Sequence, residues 1–179
     1  MYENWTPVTW ETPVSHVESL AMVSLVDDGE LRVTLEDARS SPRRRWRFTF
    51  YRSPMYQNVL EEYREELWAR IRDMGLEHCW TRTVPDSAWL AALKEREPWV
   101  DILEPGLIHY QIATEDDVLD IACASDPMIV EIEPASADEP PAGKSTVFHM
   151  PEDRAAMDAL TEEIQGLRKP NSERSISSE

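Results

Sequence analysis

The chain has 179 residues, of which 41% are hydrophobic, and a formal net charge of −17. That length suits one core with room for a tail. Such acidity opposes phosphate backbones and anionic lipid, so direct nucleic-acid binding and membrane association are not expected. No apolar run is long enough to span a bilayer. Residues 1–15 hold acids and tryptophans where a signal peptide needs a basic end and an apolar stretch, which predicts a cytoplasmic protein. Two cysteines, Cys79 and Cys123, make no disulfide framework.

Residues 1–13 read as an N-terminal arm carrying Trp5 and Trp10 and interrupted by Pro7 and Pro13. The arm either folds over the sheet to complete the core or presents its tryptophans as interface anchors. A strand is expected over 16–26, and Asp28-Gly29 supplies a hairpin turn. Residues 31–37 alternate, with Leu31, Val33 and Leu35 on one face; residues 44–51 alternate as well, with Trp46, Phe48 and Phe50 inward. These three strands predict an antiparallel meander.

Ser53-Pro54 reads as a helix start, because serine caps and proline fits the first turn. Tyr56, Leu60, Tyr63, Leu67 and Ile71 then form a helical stripe over 54–73, with Gly75 as terminator. A short strand over 79–84 follows, then a helix capped by Asp86 or Ser87 and running to 97. Pro98 and Pro105 bracket a loop, and 107–113 is a strand. Thr114 and Asp117 resemble a capping box, predicting a short helix to about 122; 128–133 is the last strand. The expected fold is therefore α+β in the order β-β-β-α-β-α-β-α-β, one sheet with helices packed mainly on one face. Residues 1–133 form the single domain. Residues 134–149 are a proline- and alanine-rich linker, 150–168 a short helix and 169–179 a disordered tail.

Charge is sorted along this chain. Between Arg39 and Arg52 there are six arginines and no acid, whereas from Pro98 through Gly143 there are acids and no lysine or arginine. Arg43, Arg45 and Arg47 are therefore candidates for a docking patch or anion site. Equally, they can pair with acids on neighbouring strands, and Glu131 and Glu133 alternate suitably for that.

The densest polar constellation is His109 followed by Glu115, Asp116 and Asp117. Histidine with carboxylates suits acid–base chemistry or metal ligation, but the spacing matches no ligand pattern and a helix start explains the three acids. No Cys-x-x-Cys, His-x-x-x-His, phosphate loop or Gly-x-Ser-x-Gly elbow occurs. No cofactor, metal or catalytic residue is assigned.

These features favour a small acidic intracellular protein-binding module of immunity or regulatory type that occupies a basic partner. Bacterial immunity proteins share this general composition. The alternatives are a nucleic-acid mimic that blocks a DNA- or RNA-binding protein, or an enzyme or metal site around His109 and Glu115–Asp117. The arm and the edge strands also offer a route to a homodimer. The candidate surface comprises Arg43, Arg45, Arg47, Trp5, Trp10, His109, Glu115, Asp116, Glu131 and Glu133.

Overall fold

The computed structural model describes residues 6–136 and 139, except 54, 61, 63, 77 and 78. The chain divides into two compact units, 1–145 and 146–179. All described residues lie in the first. The expected linker, the 150–168 helix, the disordered tail and Trp5 fall partly or wholly outside the described residues.

Two antiparallel sheets replace the expected single sheet. Alternating apolar residues build the four-stranded one from β2 (Leu20–Asp27), β3 (Glu30–Asp37), β4 (Arg45–Tyr51) and β9 (Met128–Ile132), in the order β2-β3-β4-β9. Gly29, at φ +106°, makes the β2–β3 turn, a backbone region open to glycine. The register sets Leu31 opposite Phe50, Val33 opposite Phe48 and Leu35 opposite Trp46, so one face is continuously apolar. The five-stranded sheet has the order β1-β6-β7-β8-β5, from β1 (Val8–Thr9), β6 (Thr81–Thr83), β7 (Ile108–Ala113), β8 (Asp117–Cys123) and β5 (Met55–Leu60). Its Tyr110, Ile112, Leu119 and Ile121 pack against Val33, Trp46, Phe48 and Phe50 of the first sheet, forming the main core.

Helices cover the other face of the five-stranded sheet. From α1 (Glu65–Asp73), Leu67 and Ile71 pack on Ala113 and Val118. From α2 (Ala88–Arg96), Leu90 and Leu93 pack on Leu107 and Ala122. The Ser87 side chain caps α2 by accepting from Leu90 N–H at 3.0 Å. A short α3 (Val100–Leu103) follows. The result is sheet on sheet on helices.

One expected helix and the first part of another are strands, and this overturns the single-sheet arrangement. Residues 54–73 begin as β5, which pairs along its whole length with β8, and only Glu65–Asp73 is helical. The stripe misled because Tyr56 and Leu60 satisfy a helical period while Tyr56 also faces the main core from a strand. Residues 117–122 lie in β8, not in a helix, and Thr114 closes a hairpin by accepting from Asp117 N–H at 3.0 Å. That strand is buried on both faces, so its sequence lacks the polar–apolar alternation that marks a half-exposed strand.

The chain passes between sheets twice at neighbouring positions. β4 leads into β5 and β8 leads into β9, while β4 pairs β9 and β5 pairs β8. Two adjacent strands thus change sheets side by side.

Leu60 is 45% exposed and Leu119 is 1% exposed. Truncation of Leu119 to alanine should cost ~2–5 kcal/mol in urea unfolding, whereas Leu60→Ala should cost less than ~1 kcal/mol. A helical stripe through residue 60 would make the two losses similar.

Candidate functional site

The arginine ribbon is largely consumed by internal ion pairs. On β3, Glu36 stands opposite Arg45 and is fully buried. Its carboxylate accepts from Arg45 Nε at 2.7 Å and from Arg43 Nη1 at 3.0 Å. Arg45 also engages both carboxylate oxygens of Glu139, at 3.1 and 2.6 Å, and holds that carboxyl below the usual range. Arg43 donates in addition to the main-chain carbonyls of Ser136 and Glu139. Next along the ribbon, Arg44 binds Glu131 through two hydrogen bonds of 2.9 and 3.0 Å and lies over the Trp46 ring. Arg39 pairs with Glu18 and Arg52 with Glu104. Among the described residues, only Arg47 of the six has no ion pair, and it is exposed. Glu133 is exposed beyond the end of β9.

A second polar cluster lies beneath the helices. The register aligns Arg82 of β6, Gln111 of β7, Asp120 of β8 and Gln57 of β5 in one row across the sheet. The Asp120 carboxylate accepts from His109 Nε2 at 2.9 Å, and from Gln111 Nε2, Gln57 Nε2 and Arg64 Nη2 at 2.8 Å each. Burial pushes the Asp120 carboxyl up, but His109, Gln111 and Gln57 outweigh it and hold the group below its ordinary value. The other ring nitrogen of His109, Nδ1, lies 2.8 Å from Ser87 Oγ, and the ring is tilted against Trp89 at 4.8 Å. With Nε2 carrying hydrogen toward Asp120, Nδ1 accepts from Ser87 in the neutral ring and donates to it in the cation.

Serine, histidine and aspartate thus stand in the order of a proton relay. Yet the Ser87 oxygen is also bound to Leu90 N–H, and both histidine nitrogens are engaged inside the protein. A cleft of about 250 Å³ beside the ring is lined mainly by Val84, Pro85, Leu90 and Leu107. His109 itself lines that cleft, and through Ser87 the cluster ties the sheet to the start of α2. Arg82, wholly buried, completes the row; burial pulls its pKa down to about 10, and its Nε has no hydrogen-bond partner.

Glu115, Asp116 and Asp117 occupy the β7–β8 turn, at the opposite end of β7 from His109, so the structure does not bring them together. Glu115 accepts from Ser19 Oγ at 2.5 Å. Burial, then the charges of Asp117 and Glu115, raise the Asp116 carboxyl. Glu115 also borders an open groove of about 800 Å³, shared with Glu62, Glu65, Trp68 and Trp80. No group of three or more metal-ligating side chains occurs among the described residues. Both cysteines are free and buried. No helix among the described residues is long and apolar enough to cross a membrane.

Trp10 joins the core, with ring centroids 5.8 Å from Phe48 and 4.8 Å from Tyr110. Sequence reasoning missed Glu36 and Asp120, whose importance comes from burial. It also missed α3, where Trp99, Ile102 and Leu103 are 69%, 68% and 66% exposed. The available signal there was an apolar run between Pro98 and Pro105.

Glu36→Ala removes the anion shared by Arg43 and Arg45, leaving Arg45 with Glu139 and Arg43 with main-chain carbonyls, and should cost ~1.5–3 kcal/mol in chemical unfolding, more than Glu131→Ala at the exposed pair. The depressed Asp120 carboxyl stabilises the fold above its unfolded pKa, and that stability is lost as pH falls through the lower folded value. Comparing unfolding curves from pH 6 down to pH 2 (about the range in which aspartates titrate), Asp120→Asn should be destabilised at pH 6 and show a flatter acid limb than the parent.

Comparisons with known proteins find no matching family model, no matching curated protein and no matching solved structure.

Proposed function

We propose that this protein is an acidic protein-binding module, of immunity or regulatory type, that occupies a basic partner. The observation that carries this reading is the internal neutralisation of the arginine ribbon: five of its six cations are held by Glu18, Glu36, Glu104, Glu131 and Glu139. The one long run of arginines is thereby offset by carboxylates, in part at the surface and with Arg47 left over, and the chain as a whole stays at a net charge of −17. Glu62, Glu65 and Glu115 border one open groove together with a single cation, Arg72, and none of the three is in a described ion pair. A surface of one sign attracts an oppositely charged macromolecule over long range and speeds encounter, an effect that salt screens.

Affinity capture with the full chain in about 50 mM salt, followed by kinetic measurement on the purified partner, tests the reading. The expected partner is basic and binds with nanomolar affinity, and its association rate falls by at least about tenfold on raising salt to about 500 mM. Capture of acidic partners alone, or a rate indifferent to salt, would refute it. Displacement of the partner by duplex DNA at the same surface would replace it with nucleic-acid mimicry.

A further inference from the structure

The open groove of about 800 Å³ runs between α1 and the end of the sheet that carries the β7–β8 turn. Glu65, Trp68 and Arg72 recur at spacings of three and four, so one side of α1 presents all three to it. Glu62 lies just ahead of that helix, Trp80 just before β6, and Glu115 in the turn. A groove of that volume has room for a drug-sized ligand or a few residues of peptide.

Two indoles line it. Trp68 and Trp80 are both half-buried and pack on the Leu67 and Ile71 cluster, so each ring has one part against the core and another toward the groove. Trp80 is also fixed in place. Its Nε1–H donates to the Val17 carbonyl at 2.7 Å, and its main chain bonds to Ser15 and Ala113 at 2.9 and 2.8 Å. An aromatic ring already fixed loses little conformational freedom on binding.

Carboxylates outnumber cations here. Glu62, Glu65 and Glu115 share the groove with Arg72, and none of the four is in a described ion pair. At the turn, the acids meet neutral donors: Glu115 accepts from the Ser19 hydroxyl at 2.5 Å, and Asp117 from the Asn58 amide at 2.9 Å. Their charge is therefore not offset, and with burial it raises the neighbouring Asp116 carboxyl. An aromatic wall beside surplus carboxylate favours a flat, weakly hydrated cation. A guanidinium stacks on an indole and can donate two parallel bonds to a carboxylate, whereas an ammonium is a compact, strongly hydrated charge.

We infer that the groove lined by Trp68, Trp80, Glu62, Glu65 and Glu115 seats an arginine side chain from a segment of the basic protein partner. The inference rests on the proposed acidic-module reading and adds where, and through which residue type, the partner is held.

A fluorescein-labelled glycine–serine peptide carrying two arginines tests it, titrated with the full chain by fluorescence anisotropy in about 50 mM salt. Matching peptides carry two lysines or two citrullines. The arginine peptide should bind at least about fivefold more tightly than the lysine peptide, and at least about 30-fold more tightly than the uncharged citrulline peptide. Glu62→Gln with Glu65→Gln should weaken arginine binding by at least about tenfold. Glu95→Gln with Glu97→Gln removes the same charge from exposed acids elsewhere, and should change binding by less than about twofold. Trp68→Leu keeps an apolar contact with the core but loses the indole, and should weaken binding by at least about fivefold. Cooperative urea unfolding of each variant shows that the loss is not unfolding.

Equal weakening by the two glutamine pairs would make the general acidic field the cause, and overturn the groove while leaving the acidic-module reading intact. Equal binding of arginine and lysine peptides would overturn the stacked guanidinium. Absence of arginine-peptide binding would overturn the inference altogether. Capture of acidic partners alone, with the peptide still lost on Glu62→Gln and Glu65→Gln, would overturn the module reading while the groove keeps its arginine seat.

Discussion

A carboxylate withdrawn from water must have its oxygens met by donors, or the fold that buries it does not stand. Asp120 meets this demand with four side chains from two other strands and the lead-in to a helix: His109 and Gln111 on β7, Gln57 on β5, and Arg64 just before α1. Through His109 and Ser87 the same anion reaches the start of α2. The two helices have separate apolar contacts at opposite ends of the sheet, Leu67 and Ile71 with Val118, and Leu90 and Leu93 with Ala122. Asp120 is the polar centre between those patches. α3 leans on α2 in turn, through Lys94 with Asp101 and through Val100 with Leu90 and Leu93.

Charge is managed differently on the two sides of the molecule. Beneath the helices, one anion gathers donors that are mostly neutral. On β3, β4 and β9, many cations meet many anions. Buried Glu36 and half-buried Arg45 make a pair whose loss on one side leaves an uncompensated charge, whereas exposed Arg44 and Glu131 are screened by water. The common outcome is an exterior where acids dominate, and a core where every described carboxylate has a partner.

The strands whose two faces differ in polarity were legible from sequence. β3 and β4 alternate because one face meets the core and the other carries polar and charged side chains that pair with one another or reach water. β8 was not legible, since Val118, Asp120 and Ala122 lie under helices while Leu119, Ile121 and Cys123 lie against the other sheet. With both faces buried, polarity no longer reports the period. β5 failed for a different reason: Tyr56 and Leu60 fit two periods at once, and strand pairing with β8 decided between them. Among site residues, the arginine ribbon stood out as a run. Asp120 looked like one acid among many, because its importance lies in four donors scattered from residue 57 to residue 111. Glu36 was hidden in the same way, by a burial that only its arginine partners permit.

The ribbon's partners lie at unequal distances along the chain. Glu36 is seven and nine residues from Arg43 and Arg45, but Glu131 is 87 residues from Arg44 and Glu139 is 94 from Arg45. During synthesis the first three strands of the four-stranded sheet leave the ribosome long before these acids exist. For that interval Arg44 lacks Glu131 and Arg45 has only Glu36, beside an apolar face that still lacks its opposing sheet. The creased pairs β4–β9 and β5–β8 can close only after the last of their strands has emerged, a topology whose distant contacts slow folding. The four-stranded sheet and its ion pairs are thus finished only by the last strand and the residues just after it.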